Sequence, residues 1–416
     1  MYQPIGIEYM KFFQDTNQYN FFDTHEIKDG YDVVIIGGGV HGLSLAHYLG
    51  KLGITDVLVL DQGYVGGGAS ARTTAILRAN YYTAEAIPFF RESLKLYETL
   101  SSELELNLLF DQIGRLDIGH SESAIYGLQT RADFNRLLNV DSYMVGPKQI
   151  SELVPSMDLR ENKLYPVMAA LYHPPAGVIR HDAVVWGYAR SAKNMGVHIV
   201  PFTKVVDLII RQNRVYGIKT KSKEVSAKIV VNATAGWAST IAGMANINLP
   251  IATHPLQVAV TEPIKPFLNT TVSSANLHVY AYQTDRGEVV IGGGVDSYPS
   301  YNVRSGLDSI HNLVSSTLKM FPVLRDVRLL RQWSGLCDMT PDYAPILGGI
   351  KGIDGLLLTC GWGSWGFKAA PMAGKSIAEL IVTGKTPELI KPFELSRFND
   401  GKMLNERASA PAAALH

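Results

Sequence analysis

Four groups of residues in this chain have the types and spacing to do chemistry. Gly37, Gly39 and Gly42 form the pattern Gly-x-Gly-x-x-Gly, and Asp61 follows at the offset of a carboxylate that closes a nucleotide-binding unit. The first glycine permits a tight turn, the second lets backbone approach a pyrophosphate, and the third lets helix and strand pack closely. Arg78 and Lys368 are a guanidinium fork and a compact ammonium, a pair that suits a small anionic substrate, although each alone is more often a surface cation or half of an ion pair. His181, in Arg180-His181-Asp182, offers an imidazole nitrogen, or else merely starts a helix. His278, Tyr280 and Tyr282 alternate on the face of an expected strand, where they wall a pocket or pack across a sheet.

These groups need elements to position them. Asp32–Ile36 is a short apolar run bounded by glycines and suits a buried parallel strand. A helix over Val40–Leu49 and a strand over Val57–Leu60 complete a strand-helix-strand unit, with Asp61 at its end. Helical spacing recurs from Phe90 to Leu104 and from His181 to Met195, and strands are expected in VHIVPF, RVYGIKT and KIVVNATAG. Ser151 is a capping candidate, with turns at Pro147 and Pro155. Longer, more exposed strands (HPLQVAVTE, LHVYAYQT, GEVVIGGGV) predict an antiparallel sheet, and GLLLTCGWGSWG leads into a last helix through Leu380.

The fold class is therefore α/β: a Rossmann-type FAD-binding domain with an inserted mixed or antiparallel-sheet substrate domain. The expected division is an N-terminal extension over 1–30, a discontinuous FAD-binding domain over 31–100, 171–255 and 331–400, a substrate domain over 101–170 with 256–330, and a tail over 401–416. FAD is favoured over NAD(P) by the position of the nucleotide unit, which opens the folded part of the chain, and by three further segments. Gly66–Thr74 is a second small-residue loop that brings Ser70 and Thr74 to a cofactor. Val230–Trp237 reads as a strand returning beside the nucleotide. Gly361, Gly363, Gly366 and Phe367 form the glycine-rich approach to a helix whose N-terminus can stabilise charge on a reduced flavin. Asp61 also argues against NADP, because a carboxylate repels a 2′-phosphate.

Composition excludes other classes. Lys plus Arg and Asp plus Glu balance at 38 each, so no long-range field draws the chain to nucleic acid or an anionic membrane. Apolar runs are far shorter than the ~20 residues of a membrane span. Cys337 and Cys360 lack metal spacing and read as buried thiols of a reducing, cytoplasmic compartment; His254 reads as structural, and no metal site is expected.

The blocks VVIIGGGVHGLSLAHYL, GGGASARTTAILRANY, AGVIRHDAVVWGYARSA, RQWSGLCDMTPDYAPILGG and TCGWGSWGFKAAPMAGKSIAELI resemble the D-amino-acid-oxidase-like flavoproteins, and within them the beta subunits of heterotetrameric sarcosine oxidases. The resemblance runs from about residue 30 to the end. It implies noncovalent FAD along Gly37, Gly39, Gly42 and Asp61, with the adenine held near Val205. It also implies FMN bound covalently at His181, where alpha and beta subunits meet, with gamma and delta subunits completing the tetramer. Arg78 and Lys368 match positions that hold the substrate carboxylate, and His278 and Tyr280 become candidates for the amine pocket. The implied reaction is oxidative demethylation of sarcosine to glycine, with formaldehyde or methylenetetrahydrofolate, and hydrogen peroxide; the alternative is a related dehydrogenase for N-methylglutamate, dimethylglycine or proline. A further cation near the site would favour a second substrate carboxylate, which Arg78 and Lys368 alone do not decide. The lysine and histidine that single-chain sarcosine oxidases carry in the strand at Val290–Gly294 are absent here, and their flavin-linking cysteine falls nearer Gly335 than Cys337, which favours electron transfer onward to a second flavin.

Overall fold

The computed structural model describes residues 26–161 and 164–406. The polar lead therefore lies largely, and the C-terminal tail partly, outside the described residues. Strand β1 (Gly30–Ile36) turns through three glycines into helix α1 (Val40–Lys51) and returns in β2 (Val57–Leu60). A 3-10 turn (Ala69–Arg72) and short β3 (Ile76–Leu77) lead to α2 (Ala86–Glu103). A first excursion follows: β4 (Arg115–Gly119), α3 (Glu122–Leu137), β5 (Tyr143–Val145), α4 (Pro147–Leu153) and β6 (Ala169–His173). The chain returns through β7 (Gly177–Val178), α5 (His181–Asn194), β8 (His198–Val200), β9 (Val205–Arg211), β10 (Arg214–Thr220) and β11 (Glu224–Asn232). After α6 (Ala238–Gly243), a second excursion comprises β12 (Ala252–Thr261), β13 (Thr271–Ser274), β14 (Val279–Gln283), β15 (Val289–Val295), α7 (Leu307–Met320) and β16 (Leu329–Met339). Then β17 (Ile346–Ile350), β18 (Ile353–Cys360) and α8 (Gly366–Thr383) close the first unit.

Five strands pair in parallel in the order β8, β2, β1, β11, β18. Their apolar runs are buried on both faces, as a sheet sandwiched between layers requires. β10 turns back antiparallel on β11, β9 on β10, and β17 on β18. Because β1, β2, β11 and β18 run the same way, Gly37, Asp61, Ala233 and Gly361 all leave the carboxyl edge of this sheet. That edge is where open α/β sheets bind ligands.

The two excursions together make the second sheet, in the order β16, β12, β15, β14, β13, β4, β6, β5, antiparallel except where β13 meets β4. Its strands are mostly buried rather than exposed, because one face covers an apolar core that includes Leu116, Val272, Ala281 and Ile291. Two of the expected boundaries fall inside strands: the cut at 331 lies in β16, which pairs with β12, and the cut at 170 lies in β6. Ser151 caps nothing: it lies inside α4, which starts with Pro147 after Gly146, and its hydroxyl donates to Lys148 O (2.7 Å). The capping serine is Ser121, whose Oγ accepts from Ala124 N at the start of α3.

The last described segment is pinned by a buried ion pair. Arg397 Nε and Nη2 donate to Asp342 (2.8 and 3.0 Å), and both residues are almost fully enclosed. Arg397→Met leaves the carboxylate buried without its cation and is expected to lower stability by about 3–5 kcal/mol, read by urea unfolding. Burial opposes ionisation, but the Arg397 bonds win and hold Asp342 below the ordinary carboxylate value of 3.8. The pair's contribution is thus present above pH 3.8 and disappears as acid passes the depressed value, so the variant should differ least from the parent at the lowest pH.

Candidate functional site

A cavity of about 970 Å³ runs along the carboxyl edge of the parallel sheet and between the two sheets. At one end it is lined by Gly37, Gly39, Asp61 and Val205, and at the other by Arg78, His278, Tyr280 and Lys368. Gly37 has φ +116°, and a Cβ there would collide with Ala233 O, so the turn out of β1 requires glycine. Gly42 lies outside the lining; a Cβ on it would fall within the envelope of Gly37 O, which makes it the residue that lets α1 close on β1.

Asp61 accepts the amides of Gly38 (Oδ2) and Gly63 (Oδ1), both at 2.8 Å. Each oxygen keeps a further lone pair for a ligand hydroxyl. Burial raises its pKa against these two bonds. Ser70 Oγ accepts from Val40 N (2.9 Å) at the start of α1, so besides lining the cavity it fixes the loop to the fingerprint helix. Thr74 Oγ1 donates to the Tyr280 hydroxyl (3.2 Å), and Thr74 O accepts from Tyr282 (2.9 Å), which itself lies outside the lining.

At the other end, Arg78 is buried, donates Nη1 to Asn80 O (2.6 Å) and lies over the Tyr81 ring. Lys368 stands in the first turn of α8 and donates Nζ to Ser364 O (2.8 Å). Two bonds from α2 hold that turn: Tyr97 to Phe367 O (2.5 Å) and Ser93 to Lys368 O (2.7 Å). Burial first, then the charges of Arg78 and Arg115, pull the Lys368 ammonium well below its ordinary range. Burial likewise pushes the Tyr280 phenol up to about 12, so it stays protonated.

Gly363, Gly366 and Phe367 line the cavity, but Gly361 does not: its amide donates to Asp338 Oδ2 (2.7 Å) and shapes the turn. His278 faces the cavity, yet it does not lie on the strand. It precedes β14 with φ +55°, a left-handed residue that ends the alternation expected through Tyr280 and Tyr282. His181 is half-buried at the first position of α5 and outside the cavity lining.

Several lining residues were not anticipated. Across the second sheet, register aligns Asp117 with Ser273, Ser273 with Tyr280, and Tyr280 with Gly292, placing one row of polar side chains on the cavity face. Arg115 stands two residues before Asp117 on that same face, and Arg131 of α3 pairs with Asp117. His41, inside the glycine fingerprint, stacks on Trp362 (4.2 Å between centroids) and is held neutral by burial, with its pKa down at about 3. Asp338 is buried, and burial lifts it to about 6. Cys337 lines the cavity, with burial raising its thiol, and both cysteines are free.

The donor set fits FAD. The glycine turn and α1 N-terminus suit a pyrophosphate, Asp61 a ribose, and the α8 N-terminus the oxygen edge of a flavin. The model of the DAO family, FAD dependent oxidoreductase, matches residues 32–380. The chain belongs to the FAD dependent oxidoreductase family. It is 38% identical over 389 residues to sarcosine oxidase subunit beta of Rhodobacter capsulatus, covering 93% of each chain. It is 39% identical to sarcosine oxidase subunit beta of an Arthrobacter species, covering 93% of this chain and 96% of that one. Among solved structures, L-proline dehydrogenase from P. horikoshii superposes with a TM-score of 0.85 at 28% identity, covering 90% of this chain and 99% of that one. Asp61 lines the nucleotide end of the cavity, and if its carboxylate holds a ribose hydroxyl, Asp61→Ala is expected to weaken FAD binding about 10- to 100-fold, measured by flavin fluorescence titration. Among the described residues no helix is long and apolar enough to cross a membrane, and no His/Cys/Asp/Glu cluster could hold a metal ion.

Proposed function

We propose that this FAD dependent oxidoreductase oxidises the C–N bond of a small N-methyl amino acid, sarcosine in the first reading. The product imine then hydrolyses to glycine and formaldehyde, or its carbon passes to tetrahydrofolate as methylenetetrahydrofolate, and the two electrons with two protons reduce dioxygen to hydrogen peroxide. The observation that carries this reading is the convergence of Arg78 and Lys368 at the end of the cavity bounded by α8 and the second sheet. Bound FAD would supply the two-electron acceptor. The guanidinium and ammonium hold and orient the carboxylate, the enclosed walls exclude water, and Tyr280, still protonated, donates a hydrogen bond. His278 completes the pocket wall beside it.

The sarcosine oxidase beta subunits among the relatives support a multisubunit assembly with alpha, gamma and delta partners, and the two free cysteines suit a cytoplasmic location. A second flavin, FMN, is assigned to His181. Burial, the largest influence on this side chain, lowers its pKa and so favours a neutral imidazole, the form able to attack a flavin methyl carbon. Intact mass and visible spectra of the chain purified with its partner subunits test this. One added FMN mass, absent in His181→Ala beside retained FAD, is expected; FAD alone in the parent would remove the two-flavin reading.

A related dehydrogenase acting on N-methylglutamate, dimethylglycine or proline and passing electrons to a carrier is the second reading. Its N-methylglutamate form is favoured by the further arginines at the substrate end.

A further inference from the structure

Arg131, which is buried, and Arg115, which is partly buried, are cations that an amino acid with one carboxylate does not require. Arg115 Nε donates to Asp117 Oδ1 (2.8 Å) and Nη2 to Ser273 Oγ (2.6 Å), a bracket that aims the guanidinium from β4 at the cavity it lines. Arg131 pairs with the other Asp117 oxygen, lines the same cavity and has a buried Nε with no hydrogen-bond partner. Both lie within electrostatic range of Arg78, and Arg115 also within range of Lys368.

Four cations thus gather here. Asp117 opposes them, and Glu406 sits behind Arg131, accepting the Tyr82 and Thr83 amides. Mutual repulsion among these cations in a site of low dielectric is relieved when an anion enters. One substrate carboxylate neutralises one of them. The cavity also continues past the arginines to α3, where Gly127 borders open space, so a longer substrate has room.

We propose that Arg115 and Arg131 form a second anion subsite, making the preferred substrate an N-substituted amino acid that carries a second carboxylate. This rests on the amine-oxidation reading above and narrows its substrate. Asp117 is then a positioning residue, and Arg115 contacts the second carboxylate with its bidentate fork.

The test compares sarcosine with N-methylaspartate, N-methylglutamate and iminodiacetate as reductants of the FAD-loaded complex, using an artificial electron acceptor. At least one dicarboxylate should exceed sarcosine in kcat/KM by about 10-fold or more. Arg115→Leu should cut the dicarboxylate-to-sarcosine ratio at least about 30-fold, and Arg115→Lys should retain part of it. In the unmodified complex, thiodiacetate should inhibit more tightly than methylthioacetate, a comparison that does not depend on any variant folding. Turnover of sarcosine with no dicarboxylate preference, or a ratio unchanged in Arg115→Leu, overturns the subsite and leaves amine oxidation standing. Failure of every amine to reduce the bound flavin overturns the amine-oxidation reading and the subsite with it.

Discussion

Replacing Lys368 with methionine should lower kcat/KM for an amino-acid substrate about a thousand-fold while FAD content, read from flavin absorbance, stays at the parent level. Methionine keeps the length and apolar stem, so the two α2 hydrogen bonds to the Phe367 and Lys368 carbonyls still fix the first turn of α8. What goes is a charge-assisted contact in a dry site, worth about 2–5 kcal/mol when one partner is truncated. The pH profile adds a sign. Burial and neighbouring cations hold the ammonium well below its ordinary range, so its charge is present below that depressed value and lost as pH rises through it. KM should climb on the alkaline side in the parent, and Lys368→Arg should move that limb upward, since a guanidinium stays charged. A parent KM flat with pH, beside normal activity in Lys368→Met, would remove Lys368 from the site.

Gly42→Ala should act on the whole nucleotide half rather than on chemistry. The added methyl meets Gly37 O, a backbone atom in a turn already fixed by Ala233 and cannot swing aside. Helix α1 must back away from β1, taking its N-terminus from the phosphate position. We expect FAD affinity to fall by more than about 100-fold and stability by about 1–3 kcal/mol, the usual range for overpacking. Calorimetry with and without FAD separates the two losses. Asp61→Ala is the contrast, because it touches the ligand contact without displacing a helix.

Much of this was legible in the sequence, for local reasons. The run Asp32–Ile36, the three glycines and Asp61 each announce their place through neighbours a few residues away, so the strand-helix-strand unit and the nucleotide end of the cavity followed. The place of Lys368 in the first turn of the last helix was readable because Gly363 and Gly366 mark the approach to it. The polar row Asp117–Ser273–Tyr280 was not, since it exists only through the register of three strands drawn from two distant excursions. Arg115 and Arg131 carry no motif, and only pairing with Asp117 brings them together. The alternation that put His278 on a strand failed because periodicity cannot register a single left-handed residue. His41 had a visible signal, a histidine inside a glycine fingerprint, but its burial under Trp362 depends on a segment more than three hundred residues away.

Helix α1 is gripped by that late segment: Gly374 of α8 leaves room for Ser44, whose hydroxyl donates to Ala370 O (2.9 Å). The strand next to β11 on the cofactor edge, β18, also comes from the last part of the chain. On the ribosome the helix that packs on the fingerprint and the strand that widens its sheet are made more than three hundred residues after it. The cofactor end of the cavity is therefore completed only once residues near 380 have emerged, and until then the apolar fingerprint helix lacks this cover and must be kept from aggregating.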